Sequence, residues 1–252
     1  MTAPLFVVGP ELLTGDGAVL RLDGPEGRHA ADVQRLGTGE TLVLADGRGA
    51  WARCRVEEAH RGALDLVVLE RGTDPAPPVR HVLVQALAKG DRDLQAVESA
   101  TEMEVDEVVP WQADRSIVRW RGERAAKSHR RWEQQVLAAG KQARRTRLPV
   151  VAGLAGRTDL LARASAADLA LVLHEEAEET LTAVLDGTDL TGSSGPLEVV
   201  VVVGPEGGIT PEELTALRDA GARAVRLGGA VLRTSTAGAA ALALLNARGR
   251  WR

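Results

Sequence analysis

The chain has 252 residues, 44% of them hydrophobic and 26% charged, with a formal net charge of −4. That balance describes an ordinary soluble globular protein with room for one large or two modest domains, and its acidic sum runs against a simple nucleic-acid binder, whose domains are usually basic. A lone Cys54 excludes an internal disulfide framework and a cysteine-based zinc site, and no apolar stretch is long enough to cross a bilayer, so a cytoplasmic protein with no membrane and no metal is expected.

Residues 1–72 read as β-rich. Short apolar runs at 19–22, 41–45, 51–56 and 63–69 alternate with Gly/Asp turns such as Ala45-Asp46-Gly47-Arg48-Gly49, a spacing that suits a small barrel. Between them, residues 26–36 predict one short helix carrying Arg28, His29 and Arg35, where a lone His is more often structural than catalytic. The stretch 73–79 contains Pro75, Pro77 and Pro78, which stiffen the backbone and remove donors, and it reads as a linker.

From 80 to 252 the pattern alternates. Strands are expected at 81–87, 107–111, 169–173, 199–203 and 224–227, and helices at 91–105, 127–145 and 236–247. This order indicates an α/β domain with a mainly parallel sheet. Charge is unevenly spread: residues 114–147 hold eleven Lys or Arg against three acids, whereas 168–190 hold seven acids and no Lys or Arg. Such runs are most often solvated helix faces, but eight excess positive charges also make an electrostatic footprint for a phosphate backbone. Trp51, Trp111, Trp120 and Trp132 read as core residues before they read as stacking partners for bases.

Two glycine-rich loops carry the chemistry. Five valines at 199–203 run into Gly204-Pro205-Glu206-Gly207-Gly208, and Thr210-Pro211-Glu212-Glu213 then starts a helix with a capping box. The second loop, LGGAVLRTSTA at 227–237, places Arg233 beside Thr234, Ser235 and Thr236. Most glycine turns of this kind bind nothing. The first lacks the Lys-Ser/Thr ending of a P-loop and the spacing of a dinucleotide turn, and Glu206 puts negative charge where a phosphate would sit. It suits a ligand bearing hydroxyls, amines or a positive charge, bound at the carboxyl ends of the strands.

The ordered set VGPEGGITPEEL (203–214) and LGGAVLRTSTAGAAAL (227–242) resembles the SPOUT-class RNA methyltransferases, specifically the bacterial 16S ribosomal RNA (uracil-N3)-methyltransferases. HAADVQRLGTGE (29–40), QALAKGDRDLQAVESATEMEVDEVVPWQADRSIVRW (85–120) and WEQQVLAAGKQARRTRLPVV (132–151) extend the resemblance over nearly the whole chain. It implies an N-terminal PUA-like β-barrel, then a SPOUT α/β domain with a deep C-terminal trefoil knot, acting as a homodimer on 16S ribosomal RNA or the small ribosomal subunit. It implies S-adenosylmethionine as cofactor, held by Leu173 and His174, by Val203, Gly204, Pro205, Gly207, Gly208 and Ile209, and by Leu227, Gly228, Leu232 and Thr234. A sulfonium ligand also suits the charge of Glu206.

The uracil anion formed in such a reaction needs a fixed cation, which points to Arg233, with Glu206 either accepting the proton or orienting the cofactor or loop. The basic surface expected for RNA combines Arg28, His29 and Arg35 with Arg115, Arg119, Arg144, Arg145 and Arg147. Departures from the family pattern are Ser235 in place of a Glu, Glu104 in place of a helix-ending Gly, Ser99 in place of a Lys, and Lys141-Gln142-Ala143-Arg144-Arg145 in place of EQSGR. The competing readings are a related enzyme acting on tRNA ribose 2'-hydroxyls, a non-catalytic RNA-binding or ribosome-assembly protein, and an α/β enzyme for a small nucleotide-like substrate.

Overall fold

The computed structural model describes residues 3–15, 17–192 and 195–251. The chain forms two compact units, Met1–Ala76 with Gly140–Leu148, and Pro77–Ala139 with Pro149–Arg252. Residues 140–148, read from the sequence as part of the second domain, thus pack in the first.

In the first unit β1 (Leu5–Val7) precedes a 3-10 turn at Pro10–Leu12, β2 (Val19–Leu22) and α1 (Gly24–Arg28), which continues into a π turn at His29–Val33. β3 (Thr41–Ala45), β4 (Ala50–His60) and β5 (Ala63–Thr73) complete a mixed sheet of order β1-β3-β4-β5-β2 in which β1 and β3 are parallel. The helix expected at 26–36 is therefore two short pieces, and β5 runs on into the stretch read as linker. Alternation selects the core: Ala52, Cys54 and Val56 of β4 turn inward with Leu42, Leu44, Leu64 and Leu66, while Arg53 and Arg55 face solvent. Burial pushes the Cys54 thiol up to about 11, against a weaker pull from Arg71.

The second unit contains β6 (Val79–Ala86), α2 (Arg92–Glu102), β7 (Glu107–Trp111), α3 (Glu123–Gln142), β8 (Val150–Val151), α4 (Arg157–Ala166) and β9 (Leu169–Leu173). β10 (Glu179–Thr180), α5 (Leu181–Asp186), β11 (Leu197–Val203), α6 (Pro211–Asp219), β12 (Arg223–Arg226) and α7 (Thr234–Arg248) follow. Its seven strands lie in the order β10-β12-β9-β11-β6-β7-β8, with every pair parallel. β11 lies between β9 and β6, and Val199–Val203 are buried, which is why its run of valines shows no polar alternation. The capping box at α6 forms as read, with Thr210 and Glu213 satisfying each other's backbone amides.

Two helix ends differ from expectation for one reason. α2 stops at Glu102 and α3 at Gln142 because Glu104 and Arg144 both take φ +57°, the left-handed conformation usually left to glycine at a helix end. At Glu104 the turn is held from outside: Arg250 donates to its carbonyl, and Trp251 Nε1 donates to its carboxylate at 2.9 Å. No helix among the described residues is long and apolar enough to cross a membrane.

Candidate functional site

Register brings four strand ends level. Val203 at the end of β11 pairs with Gln85 of β6 on one side and with Leu173 of β9 on the other, and Leu173 pairs in turn with Val225 of β12. Loops leaving one edge of a parallel sheet open a crevice there. Here they surround a cavity of about 460 Å³, within the size range of small-ligand pockets.

The wall contains Leu173, His174, Val203, Gly204, Pro205, Glu206, Gly208, Ile209, Leu227, Gly228, Leu232, Arg233 and Thr234, all singled out from the sequence. Gly207 is not among the lining residues, and its carbonyl accepts from Arg115 Nη1 at 3.1 Å. Ala230, Val231 and Ala237, within the second glycine loop, also line the cavity, as do Arg92, Glu175, Val225 and Arg226, which were not read from the sequence. For Arg92 the signal was available: Lys89-Gly90 closes a strand just before it, making a fourth strand end.

Local chemistry shapes both loops. Gly208 sits at φ +75° and donates its amide to the Pro205 carbonyl at 2.9 Å, a turn that a residue with a Cβ would strain. The Thr234 hydroxyl then ties the second loop to the first, donating to the Gly204 carbonyl at 2.7 Å and accepting from Gln85 Nε2 at 2.9 Å. Among the described residues, the backbone of 228–232 makes no hydrogen bond to other backbone, so its amides and carbonyls are open to a ligand edge.

The charged groups divide by their partners. Glu206 Oε1 accepts from Arg92 Nη1 at 3.0 Å and from the Lys89 amide at 3.2 Å. Burial pushes the Glu206 carboxyl up, but its own amide, Arg92 and the Lys89 amide outweigh that and hold it below the usual carboxylate range. A carboxylate so stabilised is a poor proton acceptor at neutral pH. Arg226 is committed to the carbonyls of Ala177 and Glu178. Arg233, extended at the N-cap of α7, is exposed, and its guanidinium has no hydrogen-bond or ion-pair partner among the described residues. His174 Nδ1 accepts from the Glu176 amide at 3.2 Å. Ser235 is 4% exposed and outside the cavity wall.

The expected RNA residues lie in both units. In the second, Arg115 holds the Gly207 carbonyl and Arg119 the Asp114 carbonyl at 2.8 Å, so both arginines brace loops. In the first, Arg28 and Arg35 are exposed, whereas His29 is half-buried with its ring edge-on to Phe6 at 6.0 Å. Arg144 is exposed and Arg145 half-buried. Arg147 donates to the Asp74 and Pro75 carbonyls, so its guanidinium is already engaged. Trp111, Trp120 and Trp132 are buried as expected; Trp51 is half-buried.

Residues 75–246 match the family model of the RNA methyltransferase domain, and residues 22–69 that of the RNA methyltransferase PUA domain. The chain is 48% identical to the Ribosomal RNA small subunit methyltransferase E of Mycobacterium tuberculosis, covering 96% of this chain and 90% of that one. It is 27% identical to the protein of the same name from Bacillus subtilis, covering 89% and 88%. Among solved structures it resembles a Ribosomal RNA small subunit methyltransferase E from Neisseria gonorrhoeae bound to S-adenosyl methionine, with TM-score 0.79, 25% identity and 98% of both chains covered. A methyltransferase from Legionella pneumophila in complex with the same cofactor gives TM-score 0.82 at 25% identity, with 99% of both covered.

Proposed function

The chain belongs to the small-subunit ribosomal RNA methyltransferase E family, S-adenosylmethionine-dependent enzymes, and from that premise we propose that it methylates N3 of a uridine in 16S ribosomal RNA. The observation that carries this reading is the cavity at the level strand ends, walled by both glycine loops and rimmed by an unpartnered Arg233.

The residues present fit the cofactor. Leu173, Val203, Ile209, Val225 and Leu227 offer apolar cover to an adenine, the open backbone of 228–232 offers its edge donors and acceptors, and Glu175 and Glu206 suit a ligand carrying sulfonium and ammonium charge. When bound, the cofactor supplies a methyl carbon on a positively charged sulfur.

Alignment of the uracil with that carbon is the chain's main task, and orientation of this kind lowers barriers by on the order of 7 to 11 kcal/mol in favourable cases. The N3 proton leaves as the new N–C bond forms and the sulfur–carbon bond breaks, and negative charge spreads over N3 and its flanking carbonyl oxygens. Arg233 stabilises that charge. The proton passes to solvent, and Glu206, whose Oε1 is engaged by Arg92 and the Lys89 amide, serves to fix the turn.

The same reading takes residues 1–72 as a PUA-like β-barrel, 73–79 as a linker and 80–252 as a SPOUT domain whose loops at the cavity form a trefoil knot. It places the enzyme in the cytoplasm with its ribosomal substrate. The reading also takes the enzyme as a homodimer, for which Ile117, Val231 and Leu232, 75%, 76% and 38% exposed in the second unit, are the candidate apolar contacts. Mass mapping of 16S RNA from a deletion strain tests the reaction: N3-methyluridine disappears from one site and returns on complementation. Its persistence in the deletion strain refutes the assignment.

A further inference from the structure

We propose that the first unit carries a subsite for an unpaired RNA nucleobase, built on the Trp51 ring and on Arg144. The inference rests on the RNA substrate assigned above. A second cavity of about 320 Å³ lies wholly in this unit, with Leu5, Val43, Trp51, Arg53, Asp74 and Arg144 in its wall. Its residues come from β1, β3, β4 and β5 and from the 140–148 segment, so chain far apart in sequence builds one concave surface.

The Trp51 ring is fixed before any ligand arrives. Opposite it on β5 stands Gly72, where a Cβ would come within 2.5 Å of Trp51 Cζ2, so the ring lies against bare backbone. Its Nε1 donates to Asp74 Oδ1 at 3.1 Å. Asp74 is itself held by the Thr146 hydroxyl, by the Gly49 carbonyl that its amide reaches at 2.9 Å, and by Arg147 Nη2 on its carbonyl at 2.8 Å. A tryptophan serving only to fill a core would be buried like Trp111, Trp120 and Trp132. Trp51 instead stays only half-buried and lines a cavity with room for a base.

Arg144 supplies an independent observation. It holds φ +57° as the left-handed residue that ends α3, a conformation glycine adopts freely, and it puts a cation in the wall that Trp51 shares. Arg53, paired with Glu70 at 2.9 Å, adds a charged pair at the same wall. An ordered aromatic face beside a cation is the arrangement by which proteins bind single-stranded nucleic acid: the ring stacks on a base while the cation meets the backbone. Paired bases in a helix show no free face, so the occupant is an unpaired nucleotide.

Fluorescence anisotropy on the full-length chain tests this with a labelled single-stranded 16S fragment and with the same strand carrying abasic sites. Trp51→Ala weakens the base-bearing strand about tenfold and leaves the abasic strand unchanged, and Trp51→Phe stays within about threefold of the parent protein. Arg144→Gly weakens both strands at least about threefold while the melting temperature holds or rises, because glycine suits φ +57°. That last pairing separates binding from folding even if Trp51→Ala fails to fold, and an unchanged cofactor affinity reports an intact second unit. Parent-like RNA affinity in Trp51→Phe together with Arg144→Gly overturns the proposal, as does equal loss on both strands in Trp51→Ala. Failure of the parent protein to bind either strand removes the RNA reading itself.

Discussion

Replacing Thr234 by Val tests whether the two glycine loops form one site. The substitution keeps the side-chain shape and deletes only the hydroxyl that donates to the Gly204 carbonyl at 2.7 Å and accepts from Gln85 Nε2 at 2.9 Å. Thr234 is 7% exposed and Gln85 fully buried, and without the hydroxyl Gln85 Nε2 keeps only its longer bond to the Ala86 carbonyl at 3.3 Å. Orphaning a buried polar group costs about 1 to 3 kcal/mol, and here the Gly204 carbonyl loses its partner while Gln85 loses one of two. The expected loss is therefore about 1 to 3 kcal/mol, a drop of roughly 2 to 12 °C in the melting transition of a unit this size. Part of the loss returns as weaker binding, since the loops must be ordered when the cofactor enters; a share of about 1.4 kcal/mol is a tenfold rise in Kd. Calorimetric melting and S-adenosylmethionine titration measure both quantities, with Thr234→Ser, which keeps the hydroxyl, as the control. If Thr234→Val melts within 1 °C of the parent protein (roughly the scatter of such scans) and binds the cofactor equally well, the loops are not coupled through this residue.

Arg233→Ala is expected to lower kcat by about 10² to 10³, the usual cost of removing one donor from a developing anion, while cofactor Kd stays within about tenfold; equal collapse of both makes Arg233 structural. Arg92→Ala frees Glu206 at a half-exposed ion pair worth at most about 1 kcal/mol. It should therefore weaken cofactor binding about fivefold with little change in melting, and Arg92→Lys should recover part of the loss; an unchanged Kd would mean the turn needs no anchor. Burial, helped by Arg250 and opposed by Asp106, holds the His81 imidazole at about 4 against an ordinary 6.5. The unfolded chain takes up that proton as pH falls below 6.5 while the folded chain refuses it, so stability is full above 6.5 and declines toward pH 4, by about 3 kcal/mol in all. In His81→Leu the urea midpoint should fall less steeply across that window, and parallel curves for the two proteins would exclude His81 as the source.

The elements at the site were legible because their causes are local. A run of valines buried on both faces announces β11, Thr210 and Glu213 announce a capped helix, and glycines announce the turn that needs φ +75° at Gly208. Each depends on backbone geometry and hydrogen bonding within a few residues, which the order of residues specifies. The positions of most cofactor-loop residues followed from these signals together with the family resemblance.

What stayed hidden depended on which strands become neighbours. Sequence order does not state that β6 lies beside β11, yet that adjacency brings Arg92 to Glu206 across 114 positions and anchors the carboxylate. Charge counting likewise treated residues 114–147 as one basic stretch. In the folded chain Arg115 and Arg147 spend their guanidinium groups on backbone carbonyls, and 140–148 leaves the second unit to pack in the first. Trp51 read as core because composition cannot tell a ring facing other side chains from one laid on Gly72 beside an open cavity. Local propensity decided the elements and the turns of this protein, whereas long-range pairing decided the anchoring of Glu206, the availability of Arg233 and the surface that Trp51 presents, because those depend on neighbours brought together only by strand order.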